Sequence, residues 1–387
     1  MKRNKILSEI LSDIELTDTE RENASSKYEA VGNYLSEALG VKVYPQGSFA
    51  TNTIIRPYSK SDKKRYDLDA MVQYPYEKKD ISPKFIKQSL KIALESNGVY
   101  KEKLNQEEFD KCWTLDFAVI GKDTYFSMDL VPSILEDEIT RYLDDSVYSD
   151  TLGFITSRNS WGEYSWVGNN SIGFSQWFIE QGKIVDEKMF KLNKNDISAT
   201  VEPLRTRSIS TTLSRTVKIL KRHRDIYYNK NKIEEFKPAS SIILASVGKV
   251  SGLIETADDE IALLKQIVSF LQLNNPLTFK GSENFLKYKE ISMIISRENN
   301  TWVLLNPADS RDNLLDSWNS ENGKIISGYF FQWLSSLYEV LEELSDNMRS
   351  HTKNFILSEH FSVKIEGSEE IPEYTVGQEV VRPWLKK

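Results

Sequence analysis

Tyr66-Asp67-Leu68-Asp69-Ala70-Met71-Val72-Gln73-Tyr74 is the stretch that decides how the first half of this chain folds. Side chains along a strand alternate between its faces. Tyr66, Leu68, Ala70 and Val72 therefore make an apolar face for a core, while Asp67 and Asp69 project together from the other. Two carboxylates held side by side repel each other unless a cation lies between them. An edge strand with a solvated acidic face fits the same pattern, and these residues alone favour that simpler reading.

A second run changes the balance. Tyr125-Phe126-Ser127-Met128-Asp129-Leu130-Val131 puts Phe126, Met128 and Leu130 on one face and Ser127, Asp129 and Val131 on the other. An aspartate inside so apolar a strand needs a partner. If this strand lies beside the first, Asp67, Asp69 and Asp129 converge. Asp116, on the preceding strand Trp113–Ile120, is the rival third carboxylate, with Gly121-Lys122-Asp123 as the hairpin turn between the two strands. Upstream, Val41-Lys42-Val43-Tyr44 alternates like a strand and runs into Pro45-Gln46-Gly47-Ser48. Gly47 lets the backbone approach a phosphate closely, and Ser48 can offer its N–H and hydroxyl. Clustered carboxylates beside a phosphate cradle suit nucleotidyl transfer, in which two divalent cations about 3.5–4 Å apart stabilise the attacking and leaving oxygens. Magnesium takes carboxylate and phosphate oxygens in such sites.

Working outward, residues 4 to 39 carry Ile6, Ile10, Leu11, Ile14, Val31, Leu35 and Leu39 at spacings of three and four, which predicts helix. Gly40 ends that pattern. Pro83 to Glu95 predicts a further helix. Beyond Pro203 the character changes: Arg205–Tyr228, Ser240–Leu253, Asp258–Leu273 and Ile325–Arg349 read as helices with few strand signals. The expected fold class is α+β, with a catalytic lobe over residues 1–200 braced by the N-terminal helix. A helical lobe over 201–350 and an extended tail over 351–387 follow, and the cleft lies between the lobes. On the helix of the second lobe, Leu213, Val217 and Leu220 form an apolar stripe and Arg215, Lys218, Lys221 and Arg222 a basic one. Cations so crowded imply a polyanion opposite, or else a solvated basic face. Trp161, Tyr164, Trp166, Phe174 and Trp177 fall in a Gly/Asn/Ser-rich stretch and read as loop-packing aromatics, with base stacking the alternative.

Composition narrows the function further. The chain has 387 residues, 40% hydrophobic and 28% charged, as expected of a folded protein rather than a disordered one. Its formal net charge of −7 argues against a grip on long nucleic acid, which calls for a basic surface. Cys112 is the single cysteine, so no disulfide framework or cysteine-rich zinc site is available. His223, His351 and His360 are too scattered for a triad. The N-terminus reads as polar helix rather than a signal peptide, and no apolar run reaches the ~20 residues of a membrane span. A cytoplasmic protein is expected.

Gly47-Ser48, then Asp67-x-Asp69, then a later strand aspartate resembles the polymerase-β nucleotidyltransferase superfamily. Tyr44-Pro45-Gln46-Gly47-Ser48-Phe49-Ala50-Thr51, Thr53-Ile54-Ile55-Arg56-Pro57 and Met128-Asp129-Leu130-Val131-Pro132 resemble more closely the bacterial CD-NTases, relatives of cyclic GMP–AMP synthase. Leu220-Lys221-Arg222-His223-Arg224-Asp225, Lys237-Pro238-Ala239-Ser240-Ser241 and Asn306-Pro307-Ala308-Asp309 extend the likeness to about residue 320. The resemblance implies a cyclic di- or trinucleotide synthase in anti-phage signalling. It would use nucleoside triphosphates and magnesium, with manganese as a substitute, and its product would act on a separate effector. A regulatory protein partner is implied as well. On the same resemblance Asp67, Asp69 and Asp129 hold the metal ions, and Asp129 helps deprotonate the attacking hydroxyl. Gln46, Gly47 and Ser48 line the triphosphate, Lys221 reaches donor phosphates with Ser240 or Ser241, and Asp309 touches the acceptor. A linear-oligonucleotide or RNA-end nucleotidyltransferase is the first rival, and a catalytically silent binding module the second.

Overall fold

The computed structural model describes residues 4–57, 64–118, 124–193, 210–275, 294–344 and 348–363. The polar run from Ser59, the turn at 121–123, the boundary near 200 and the chain beyond 363 lie outside the described residues.

Six strands make one mixed sheet: β1 Lys42–Gln46, β2 Lys64–Tyr74, β3 Trp113–Ala118, β4 Thr124–Leu135, β5 Gly153–Arg158 and β6 Tyr164–Asn169. Their order is β1-β2-β4-β5-β6, and β3 also pairs with β4. β2 and β4 run parallel over their whole length, while the other pairs are antiparallel. The alternation read from the sequence holds on both central strands. Tyr66, Leu68, Ala70 and Val72 join Phe126, Met128 and Leu130 in one buried core. Ile86, Leu90 and Leu94 of the helix Pro83–Ser96 cover that face. Met71 and Val131 lie on the opposite face, with Ile155.

The N-terminal run is two helices rather than one, Lys5–Ile14 and Asp18–Leu39. The break is a capping box: Thr17 Oγ1 accepts from Glu20 N at 3.1 Å, and Glu20 Oε2 accepts from Thr17 N at 2.8 Å. This break lets the two pieces serve different cores. Ile6, Leu7, Ile10, Leu11 and Ile14 are buried in the helical half, whereas Ala24, Val31 and Leu35 pack on the sheet. Gly40, at φ 66°, closes the second helix.

The aromatic stretch after residue 160 is not loop. It supplies β6 and the helix Ser171–Asn193, where Phe174 packs against Trp177 with ring centres 5.8 Å apart. Asn170 starts that helix: its side chain accepts from Gly173 N and donates to the Tyr148 and Ala308 carbonyls.

The second half is built on the helices Thr212–Lys230, Ser240–Leu253, Glu260–Gln272 and Gly323–Glu343. Two short hairpins interrupt them, pairing Ser296–Glu298 with Thr301–Val303 and Leu305–Asn306 with Asp309–Asn313. The first part of the segment expected to be an extended tail is helical instead, over Ser350–Phe361. Ile356, Leu357 and Phe361 are buried in the helical core, which is the physical reason this segment folds back.

Candidate active site

The register of four strands sets the site. Gln46 on β1 lies opposite Asp69 on β2, Asp69 beside Asp129 on β4, and Asp129 opposite Thr114 on β3. Two residues earlier the row is Asp67, Ser127 and Asp116. Neighbouring strands lie about 4.8 Å apart, so the backbone brings three carboxylates to adjacent positions on one face. Asp116 occupies the outer strand of the second row, beyond Ser127.

The side chains do not surround a common point; among the described residues no three acidic, imidazole or thiol groups do. Each carboxylate turns to a partner. Ser127 Oγ donates to Asp67 Oδ1. Thr114 Oγ1 donates to Asp129 Oδ1 at 2.6 Å. Asp69 turns to Gly47, where a Cβ would fall 2.2 Å from Oδ2. Gly47 also has φ 62°. Only glycine meets both demands there.

Asp69 is the strained member. Burial pushes its pKa up to about 7, the charges of Asp129 and Asp67 add to the rise, and Lys221 opposes it. A half-buried carboxylate flanked by two others is a candidate for cation binding, because a bound cation would relieve all three repulsions at once.

Gly47-Ser48-Phe49-Ala50 forms one helical turn directly after β1. Gln46 is buried, and its Oε1 accepts from Ser171 Oγ at 2.7 Å. Ser48 is half-buried on the same turn, and its carbonyl accepts from Thr53 N at 2.8 Å. Lys221 sits behind this loop, buried, with Nζ donating to the Thr53 carbonyl at 2.9 Å. Burial lowers its pKa to about 7, with Arg224 pushing the same way and Asp225 and Asp69 resisting.

Arg215, Lys218 and Arg222 of the Thr212–Lys230 helix are turned to groups of the chain itself rather than to open solvent. Arg215 pairs with Glu260 at 2.6 Å, Lys218 with Glu15 at 2.7 Å, and Arg222 Nη2 donates to the Arg56 carbonyl at 2.8 Å. Charge needed to clamp the N-terminal segment explains the stripe.

Ser240 and Ser241 open the next helix, and Ser240 Oγ accepts from Arg224 Nη1 at 3.2 Å. Asp309 lies apart from the three aspartates, buried and gripped by Arg311, whose Nε and Nη2 reach its two oxygens at 2.8 and 3.0 Å. Arg311 Nη1 also reaches Glu136 at 3.1 Å. Any contact of Asp309 with a ligand therefore involves that guanidinium. Cys112 is partly buried against Met71 and Val131, and burial raises its thiol to about 12. His223 is buried, accepts at Nδ1 from Trp333 Nε1 at 3.1 Å and stacks on His360. Thr114, Ser127, Asn170 and Ser171 were not singled out in the sequence. Ser127 shared the face of Asp129, but Thr114 needs the β3–β4 register to become visible.

Residues 1–149 match the Second Messenger Oligonucleotide or Dinucleotide Synthetase domain. A c-di-GMP synthase of Roseivirga ehrenbergii is 24% identical over 324 residues, covering 78% of this chain and 79% of its own length. The CD-NTase CdnG of Bradyrhizobium diazoefficiens, solved with GTP, superposes with a TM-score of 0.62 at 19% identity, covering 92% of this chain and 94% of that one. Escherichia coli MS115-1 CdnC, solved with a HORMA protein, gives 0.60 at 12% identity, covering 94% and 98%. The Vibrio cholerae cyclic AMP-GMP synthase DncV, solved with nonhydrolysable GTP, gives 0.58 at 14% identity, covering 91% and 92%. At such identities the structural likenesses speak for the fold. Residues 1–149 thus match the Second Messenger Oligonucleotide or Dinucleotide Synthetase domain family, within a chain that has the fold of the CD-NTases.

Proposed function

We propose that this protein is a nucleotidyltransferase that joins nucleoside triphosphates into a cyclic di- or trinucleotide. The observation that carries the reading is the row Asp67, Asp69 and Asp129 on one sheet face, with Asp69 against Gly47 of the loop after β1. The c-di-GMP synthase relative and the GTP complex of CdnG make GTP the first substrate to supply, with ATP beside it.

Asp67, Asp69 and Asp129 would hold magnesium, or manganese in its place. Bound there, the ions neutralise charge on the attacking and leaving oxygens. The chain's own groups do the rest. Gln46, Gly47 and Ser48 line the triphosphate through backbone N–H groups and the Ser48 hydroxyl. Lys221, already within the field of Asp69, exchanges the Thr53 carbonyl for a donor phosphate. Ser240 and Ser241 support the same phosphates. Asp129 accepts the proton from the acceptor's 2′- or 3′-hydroxyl. Asp309, through Arg311, orients the acceptor nucleotide. Each transfer joins the acceptor oxygen to the donor's α-phosphorus and breaks the bond to the β-phosphate, releasing pyrophosphate; one further transfer closes a dinucleotide ring and two close a trinucleotide ring.

In a cell the product serves as a second messenger for a separate effector in anti-phage defence. A regulatory protein partner is consistent with the HORMA complex of the similarly folded CdnC. The test is incubation of the pure protein with all four triphosphates and magnesium, followed by phosphatase treatment and mass spectrometry. A phosphatase-resistant cyclic product supports the reading. Linear products alone would move the protein to the oligonucleotide-polymerase reading, and no product with either metal would point to a silent module.

A further inference from the structure

We propose that Thr114 is a positioning residue for the transfer reaction, holding Asp129 at the angle from which it takes the acceptor's proton. The inference rests on the nucleotidyltransferase reading above.

Thr114 lies on β3, directly opposite Asp129 in the β3–β4 register. It is buried, and its Oγ1 donates to Asp129 Oδ1 at 2.6 Å. Hydroxyl-to-carboxylate bonds of this length are charge-assisted and among the stronger hydrogen bonds in proteins. A β-branched side chain is also stiff about χ1, so Thr114 fixes the direction of the bond as well as its existence. The carboxylate is thus aimed from the side, by a strand that carries none of the three candidate metal ligands.

The arrangement is asymmetric. Ser127, buried on β4, gives Asp67 the equivalent hydroxyl. Asp69, between them, is met by Gly47 instead. The two outer carboxylates are therefore held by hydroxyls, and the middle one is left to turn between the loop and a ligand. A strand residue present only for packing would not place its oxygen on a carboxylate of the catalytic row, and valine would serve β3 equally well.

Thr114→Val keeps the shape and removes the donor, while Thr114→Ser keeps the donor and trims a methyl group. For the valine variant we expect kcat to fall about 10- to 100-fold, the low end of what a positioned base contributes, with KM for GTP and ATP changed less than about threefold. The serine variant should recover most of the loss. Combined with Asp129→Asn, the valine change should cost nothing further, because both act through one group. A second readout is free of turnover: manganese binding, followed by electron paramagnetic resonance on the protein without nucleotide, should weaken several-fold in the valine variant and recover in the serine variant. Full kcat in Thr114→Val, equal damage in the serine and valine variants, or losses that add to those of Asp129→Asn would each overturn the proposal. Should Thr114→Val fail to fold, Thr114→Ala beside Thr114→Ser makes the same comparison. If the unaltered protein binds manganese yet makes no product, the nucleotidyltransferase reading fails, and the manganese comparison still decides whether Thr114 positions Asp129.

Discussion

At the scale of single residues, Asp69 and Gly47 are bound to each other's identity. A methyl group at Gly47 would fall 2.2 Å from Asp69 Oδ2, on a backbone whose φ of 62° already disfavours side chains. Gly47→Ala should therefore cost at least about 1 kcal/mol of stability, from strain alone, and should abolish turnover; urea titration and the product assay read the two effects separately. His223 makes a different prediction. Burial lowers its pKa in the folded chain to about 3, from 6.5. Between those values the unfolded chain binds the proton and the folded chain does not, so stability is lost as pH falls from about 6.5 toward 3. His223→Gln should flatten that part of the stability–pH curve relative to the parent, measured by thermal melting between pH 7 and 5. Of these residues the sequence displayed the acidic pair and the glycine-serine turn, because both follow from alternation and turn chemistry. It could not display the contact of Asp69 with Gly47, which depends on a register between strands separated by a long loop.

At the scale of elements, helix ends were the harder part to read. Apolar spacing lapses between Leu16 and Ala24, and there Thr17 and Glu20 divide the run with a capping box. Thr17→Ala should cost about 1 kcal/mol and shift the denaturation midpoint without changing the slope. The strands were legible because each central one carries a strict two-residue alternation with bulky apolar residues on one side. β6 and the helix Ser171–Asn193 were not, since Gly, Asn and Ser dilute the signal that buried Phe174 and Phe178 supply in three dimensions. The helix Ser350–Phe361 was missed for a related reason: its three buried residues answer to the core formed by other helices, not to a face visible in its own sequence.

At the scale of the whole molecule, the basic stripe on the Thr212–Lys230 helix reads differently from its sequence. Arg215 and Lys218 anchor the N-terminal segment by pairing with Glu260 and Glu15, and Asn4 N also reaches Glu260 at 3.2 Å. Glu260→Ala would leave Arg215 buried without its carboxylate and should destabilise the fold by about 3 kcal/mol, measurable by urea unfolding. Two cores, one in the sheet lobe and one in the helical half, each take one of the two N-terminal helices, and the acidic row lies on the sheet face turned from the strand core. The net charge of −7 argued against a grip on long nucleic acid. It could not foretell that the few cations near the site are committed to holding the two halves together.

The central claim is that Asp67, Asp69 and Asp129 form a cation site, and thermal melting of the parent and Asp69→Asn, with chelator and with magnesium, tests it most directly. Asp69 is held protonated in the fold up to about pH 7, well above its ordinary value of 3.8. Without a cation its contribution to stability therefore declines as pH rises through that interval and stays unfavourable above it. The account predicts that at pH 8 with chelator Asp69→Asn is the more stable protein, by at least about 1 kcal/mol, and that magnesium raises the parent's melting temperature and not the variant's. An Asp69→Asn protein that melts below the parent in chelator, or a parent indifferent to magnesium and manganese, would contradict it.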